Sequence, residues 1–480
     1  MMNNKVIKKG FKTQLAAITM SLGITITAPV LADTNRALES WKAFAERQNN
    51  PNYDKWVNLI SEPEAIEKAK KWKELRGYDA YDIIDKQELP SDLKPGLVIT
   101  KDNKDNYPWL KDYLPKEQYE ALGREWGGIE KMTIVPTNTY YMHDGYYNGT
   151  KELIEKNIKV VANEKGELVY EDGRLALLEG PATTAIPFLH PKNGLELNWD
   201  YVAHSTNSDT GAFNPITMNA CSAEGVLDRS YKADIYWWHF HNRTNVAPFG
   251  DIDGKEDFIE GGALFILEPN DIRGFAGVRQ RYASADKEDD FKVYIPSLRR
   301  TRILTGSDSQ DPLAAGLELT WDDWRSYWVK TDISKFEYNL VGETIILASP
   351  EVGHAYDAQE FSADKCSVLS TEVELRPVWI LEIIDKTGKY QYSKRRTYID
   401  KEMYYSQYFM TWDPRGNPLR NWDDVRDFRP SVGDMSFKNV VVVNQTTKRV
   451  STMEMVTDWD GMGENVTEEL FDIDQLRDYR

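Results

Sequence analysis

The sequence predicts a mainly β protein with a helical cover (α+β): one large antiparallel sheet, curled on itself, with helices over its concave face. Three observations lead there. Short runs rich in aromatic and β-branched residues fill the chain from about residue 176 onward. In the last third, short turns join these runs into an antiparallel meander. Finally, Phe291–Ile303 alternates with period two. Phe291, Val293 and Ile295 point one way, and Lys292 and Tyr294 the other. After Pro296 the pattern resumes, with Arg300 and Arg302 on one face and Thr301 and Ile303 on the other. Such a strand belongs to a sheet wetted on one side. A large meander must bury its apolar face by curling or under helices, and a curled, capped sheet encloses a cavity.

The first 32 residues read as an export leader. Lys5, Lys8, Lys9 and Lys12 form the charged part, Leu15–Val30 the apolar part, and Val30-Leu31-Ala32 a cleavage site before Asp33. The expected location is the periplasm. Without the leader's four lysines the net charge moves from −18 to −22. That balance argues against nucleic acid and anionic membrane surfaces as partners. Cys221 and Cys366 are the only cysteines. In an oxidising compartment they could pair; two buried free thiols are the other reading.

Residues 33–175 read as a helical and loop-rich region packing on the sheet, and residues 176–480 as the sheet itself. Leu38, Trp41, Phe44 and Ala45 recur at helical spacing. Ser61-Glu62-Pro63-Glu64 is a capping box opening a helix that carries Ile66, Ala69 and Trp72 and stops near Gly77. Pro115–Leu122 and Thr150–Ile158 are two further short helices. Expected strands are Leu195–Tyr201, Ala233–Asn242, Ala263–Leu267, Gly277–Tyr282, Phe291–Ile295, Arg299–Leu304 and Lys335–Leu347. Glu372–Ile384, Tyr390–Asp400 and Tyr404–Trp412 follow, with turns at Asp385–Gly388 and Asp413–Gly416. Phe437–Asn444 and Val450–Val456 close the chain as a hairpin.

Several constellations invite chemistry. His239 and His241 sit at i and i+2 on one strand face, as two metal ligands could, but no third ligand of similar quality is near in sequence. Asp251–Asp257 misses calcium-loop spacing and reads as an acidic turn. Trp321-Asp322-Asp323-Trp324, Trp422-Asp423-Asp424 and Asp458-Trp459-Asp460 pair acids with aromatics, as carbohydrate hydrolases do. Surface turns and strand ends account for them more simply. Arg279, Arg281, Arg299, Arg300 and Arg302 form either a patch for an anionic head group or cross-strand ion pairs. No nucleophile elbow, phosphate loop, Cys-x-x-Cys or His-Glu-x-x-His occurs. No cofactor is expected.

Three segments in order resemble one family. They are Ala185–Phe188 with Asn193–Trp199, then Tyr294–Arg302 with Asp322-Asp323 beyond it, then Tyr392–Asp400 with Trp412–Gly416. Together they are similar to the domain of unknown function 1329 family, often labelled outer-membrane lipoprotein-sorting protein, over about residues 90–475. The resemblance implies a half-open β-barrel like the Lol-type periplasmic carriers, with helices plugging the concave face. It also implies handling of lipids or other hydrophobes beside outer-membrane proteins and envelope exporters, with no catalytic residues. Ser297 stands where the family has Gly, and Leu189-His190 where Pro is usual.

The expected function is a non-enzymatic periplasmic carrier or chaperone for a lipid, lipoprotein acyl chain or other hydrophobe. Trp237, Trp379, Arg300 and Arg302 are the expected ligand-binding residues. The rivals are an envelope-polymer hydrolase using Asp322/Asp323 or a His239/His241 metal, and an accessory partner of an outer-membrane protein or hydrophobe exporter.

Overall fold

The computed structural model describes residues 60–204, 209–306, 308–326, 329–350, 360–362, 366–455 and 466–472. The leader, the helix expected at Leu38–Ala45 and the Asp458–Asp460 cluster lie outside them.

The N-terminal region opens with α1 (Glu62–Arg76) and α2 (Ala80–Ile84), followed by β1 (Val98–Thr100). Next come α3 (Leu110–Tyr113), α4 (Lys116–Ala121), β2 (Lys131–Ile134) and α5 (Asp144–Glu155). The capping box forms as the sequence requires: the Ser61 N–H and hydroxyl both donate to Glu64. Gly77, at φ +81°, ends α1 in the left-handed conformation that glycine tolerates best. The buried face is Ala65, Ala69, Trp72 and Arg76, whereas Ile66 is 46% exposed.

A small hairpin of β3 (Val160–Ala162) and β4 (Leu168–Tyr170) stands apart from the main sheet. The expected strand at Leu195–Tyr201 is instead α6 (Gly194–Ala203). Asn193 caps it by accepting from the Glu196 N–H. Leu197 and Tyr201 enter one core cluster while Trp199, Val202 and Ala203 enter another. A helix buried on two sides loses its amphipathic signature, and the alternation of Leu195, Leu197, Trp199 and Tyr201 with polar residues reads as a strand.

The sheet then runs through β5 (Thr210–Cys221), β6 (Leu227–His239), β7 (Phe258–Glu268), β8 (Ala276–Tyr282), β9 (Asp290–Ile295) and β10 (Arg300–Ile303). It continues with β11 (Phe336–Ala348), β12 (Glu360–Ser362), β13 (Ser367–Asp385), β14 (Lys394–Asp400) and β15 (Ser406–Trp412). β16 (Pro418–Arg429), β17 (Asp434–Asn444) and β18 (Val450–Glu454) complete it. The spatial order is β1-β2-β13-β14-β15-β16-β17-β18-β5-β6-β7-β8-β9-β10, with β11 and β12 also on β13. It is one large, open, mixed sheet: β2 runs parallel to β13, and the other strand pairs are antiparallel. Strands β1–β4, in the region expected to be helical and loop-rich, and β5, β12 and β16 are additions to the expected set, and β1 and β2 join the main sheet itself. β5 carries Gly211, Asn214 and Pro215, and β16 is dense in charge, so neither shows strand propensity.

Register defines an inner face. Trp379 opposes Ile399, Phe409 opposes Trp422, Trp422 opposes Val442, and Val440 opposes Met453. On the other half, Phe213 opposes Ile235, Ile235 opposes Leu264, and Gly277 opposes Val293. Strands as far apart as β9 and β16 share one apolar cluster on this face through Leu313, Leu317, Leu319, Trp321 and Trp324. The sheet therefore curls around the segment 308–326. At the β13–β14 end, side chains of α1, α5 and α6 cover the same face. Residues 80–134 instead pack on the outer face, against Val441, Val443 and Val450.

Two covalent or ionic ties hold these layers. Cys221 on β5 is joined by a disulfide to Cys366 beside β13, with Cα atoms 6.7 Å apart. Deeper in, Arg376 lies fully buried among three carboxylates. Its Nε donates to Asp400 at 2.7 Å, Nη2 to Glu402 at 2.8 Å and Nη1 to Glu374 at 3.1 Å. Arg76 of α1 reaches the same Glu402 at 3.2 Å.

Closing a loop of 145 residues removes about 5 kcal/mol of unfolded-chain freedom in the chain-entropy treatment, with 2–4 kcal/mol typical of measured bonds. Reduction, or Cys221→Ser with Cys366→Ser, is therefore expected to lower the unfolding free energy by about 2–5 kcal/mol, seen as a lower urea midpoint. An unchanged midpoint would contradict that. Arg376→Met leaves three buried carboxylates short of a cation and is expected to cost about 3–5 kcal/mol. Equilibrium unfolding checks it, and a loss near zero would remove this network from the stability account.

Candidate functional site

The inner face under the segment 308–326 holds an apolar cleft. Its walls are Phe213, Ile235, Trp237, Leu313, Leu319, Trp324, Trp422, Phe437, Val440, Met453 and Met455, and Asp323 is its single carboxylate. The interior volume is about 30 Å³, room for little more than one water. Neither Trp422 Nε1 nor Asp323 Oδ1 makes a hydrogen bond among the described residues. The wall thus offers one indole donor and one carboxylate acceptor inside an otherwise apolar slot.

The segment 308–326 acts as a plug, and its acids hold it in place. Tyr392 donates to Asp323 at 2.7 Å and Tyr390 to Asp322 at 2.9 Å. Thr320 Oγ1 donates to Asp323 at 2.8 Å, and Arg279 pairs with Asp322 at 3.3 Å. Glu318 accepts from Arg420 at 3.0 Å and from Asn444 at 2.8 Å. Burial pushes the Asp322 carboxyl up, against the pull of Arg279. Trp321 packs on Phe291 and over Gly277, where an added Cβ would come 2.5 Å from the indole.

A polar aromatic chain leads from the cleft toward the helices. The Arg426 guanidinium lies 4.0 Å from the Phe437 ring and 4.5 Å from that of Tyr405. Tyr405, His204, Tyr146 and His143 then follow ring to ring, with centroids 4.9, 4.8 and 4.7 Å apart. Arg426 is fully buried and bonds Asp424 and the Ser406 carbonyl. Burial holds His143 down to about 4 and His204 well below the usual imidazole range.

The expected site residues fall in three places. Trp237 lines the cleft. Trp379 lies in the separate cluster under α1 and α6, with its ring centroid 5.4 Å from that of Tyr404 and the planes tilted by 35°. Arg300 and Arg302 are exposed on β10, the last strand of the sheet, where Arg302 pairs with Asp308. The structure therefore brings Trp237 to the cleft and leaves the other three outside its wall. The wider arginine group divides as well. Arg279 and Arg281 are buried against Asp289, whereas Arg299 and Arg300 are exposed.

The two acid–aromatic clusters among the described residues, Trp321–Trp324 and Trp422–Asp424, are buried rather than on surface turns. Trp422-Asp423-Asp424 lies within β16, and burial beside Asp424 pushes Asp423 up to about 7. His239 and His241 are buried, and His241 Nε2 lies 2.9 Å from the Phe258 carbonyl. Among the described residues no group of three or more His, Cys, Asp or Glu is arranged to hold a metal ion. The plug went unread in sequence. Its signal was the Leu313–Leu319 apolar spacing between two polar turns, too short for either periodicity.

With this geometry in place, comparison with known proteins adds a family. Residues 98–477 match the family described as Protein of unknown function (DUF1329). The chain belongs to the DUF1329 family. Among solved structures, this DUF1329 protein is similar to one described as an outer membrane lipoprotein-sorting protein domain from Vibrio parahaemolyticus. That pair shares 15% identity over 59% of this chain and 98% of the other, with a TM-score of 0.42. A DUF1329 family protein from Desulfovibrio piger matches at 14% identity over 59% and 97%, with a TM-score of 0.42. A LolA superfamily protein from Nitrosomonas europaea matches at 12% over 52% and 84%, with a TM-score of 0.31. No curated protein matches the sequence.

The buried histidines give this DUF1329 protein a pH dependence. In the unfolded chain they titrate near 6.5, and in the fold they refuse the proton until about pH 4 for His143. Their contribution is therefore complete above about 6.5 and is lost as pH falls toward 4. Asp423 works in the opposite sense, since its raised value favours the fold at lower pH. His143→Asn keeps the α5 cap and removes one titration. Relative to wild type it is expected to gain stability on going from pH ~7 to pH ~5. Parallel urea curves at the two pH values check this, and equal shifts in both proteins would contradict it.

Proposed function

We propose that this protein is a non-enzymatic periplasmic carrier or chaperone for a lipid, a lipoprotein acyl chain or another hydrophobe. The apolar cleft under the plug carries the reading: its wall is almost wholly aliphatic and aromatic, on the inner face of an open, curled sheet. Apolar surface entering such a cleft contributes about 25 cal/mol per Å² buried. Trp422 Nε1 and Asp323 Oδ1 orient a ligand that carries one polar group. At about 30 Å³ the slot is shut, so loading requires the plug to swing away from Tyr390, Tyr392 and Arg420. The periplasmic location rests on the leader sequence. Delivery to an outer-membrane protein or an envelope transporter belongs to the same proposal.

The test is native mass spectrometry of protein purified from periplasm without detergent, followed by solvent extraction of any bound compound. A defined hydrophobe released on denaturation is the expected result. Trp237→Asp is expected to abolish retention. Tyr392→Phe removes one plug bond without altering the wall, so it is expected to keep retention and speed ligand exchange severalfold. A clean apo mass, with no uptake of added lipids by either wild type or Tyr392→Phe, would overturn the carrier reading.

A further inference from the structure

We infer that one end of the sheet is a docking surface for an anionic phospholipid bilayer. Strands β5, β7, β9 and β17 run the same way, so their exit turns gather at one end. These are the turns at residues 222–226, 269–275, 296–299 and 445–449. Side-chain contacts place them together. A Cβ on Gly274 would lie 3.5 Å from Pro296, and Arg449 beyond β17 pairs with Asp228 beyond β5.

This end combines cations with exposed aliphatic groups. Arg273, Arg299, Arg300 and Lys448 are exposed and have no acidic partner among the described residues. Leu298 is 62% exposed and Val226 60% exposed. The acids of the same end are mostly committed: Asp271 to Arg229, Glu268 to Lys232 and Asp228 to Arg449, which leaves Glu224 exposed. Exposed cations on the same end as two protruding aliphatic side chains match a phosphate-bearing surface with an apolar layer beneath it.

The overall charge of −18 argues the other way at long range. At physiological salt, however, fields fade over about 8 Å, so the local cation excess governs contact. Arginines on an edge strand also discourage strand pairing between copies, but that role does not account for the exposed Leu298 and Val226. The plug lies at this same end: a Cβ on Gly316 would sit 3.4 Å from Ala220 and 3.5 Å from Arg449. The docking surface stands on its own observations, and only its purpose rests on the carrier reading.

Co-sedimentation of the mature protein with phosphatidylglycerol-containing vesicles, against phosphatidylcholine vesicles, tests it. Binding to the anionic vesicles alone, weakened by salt, is expected. Each neutralised arginine is expected to weaken it roughly fivefold, so Arg273→Gln, Arg299→Gln and Arg300→Gln together weaken it about a hundredfold. Leu298→Ser is expected to weaken it further at constant charge. These sites are exposed, and an unchanged thermal midpoint confirms the fold. Absence of vesicle binding, or a triple variant that binds as wild type, overturns the proposal. So does a dimer in light scattering that the triple variant abolishes while neither protein binds vesicles, which assigns the surface to a second copy. Hydrophobe retention measured on the same variants is expected to be unchanged, which keeps failure of docking distinct from failure of carriage.

Discussion

Arg376 is the point on which the layers converge. Its guanidinium spends its donors on Asp400, Glu374, Glu402 and the Asn138 carbonyl, all in the interior. Through Glu402 it reaches Arg76 of α1 and the backbone of Ala80 and Tyr140. One buried cation thus ties β13, the β14–β15 connection, α1 and the 138–140 loop. The three carboxylates could not be buried without it, since each would face desolvation with no compensating charge. Such a cluster adds little net stability compared with apolar packing, but it admits few arrangements. It fixes which helix covers which part of the sheet.

The inner face repeats this division of labour. Apolar groups fill the cleft and the plug, while Asp322, Asp323 and Glu318 anchor the plug to Tyr390, Tyr392, Arg279 and Arg420. Residues that look catalytic in sequence are thus bonded to neighbouring hydroxyls and cations, while Leu313, Leu317, Leu319, Trp321 and Trp324 supply the segment's apolar packing.

Much of the strand pattern was legible in the sequence because its signals are local. The hairpins after Asp385 and Asp413 announce themselves by turn residues, and α1 by its capping box and Gly77. What was not legible depends on both sides of an element being buried. Helix α6 looked like a strand because Leu195, Leu197, Trp199 and Tyr201 fall on every second position while Asn198 and Asp200 are buried with them, and β16 was unread because its charges are paired inside the protein. Of the expected ligand residues only Trp237 reaches the cleft, since side-chain alternation gives the face of a strand but not its distance from a cavity.

The sequence by itself determined the class of fold, an antiparallel meander with a helical cover, along with the family. Period and turn chemistry are written residue by residue, and the family motifs are contiguous. Tertiary structure alone decided that Cys221 meets Cys366 across 145 residues, that the Trp321–Trp324 segment plugs the curl, and that exposed arginines gather at one end. Each of these joins residues far apart in the chain. Only the register and curvature of the sheet bring them together, and no local propensity encodes that.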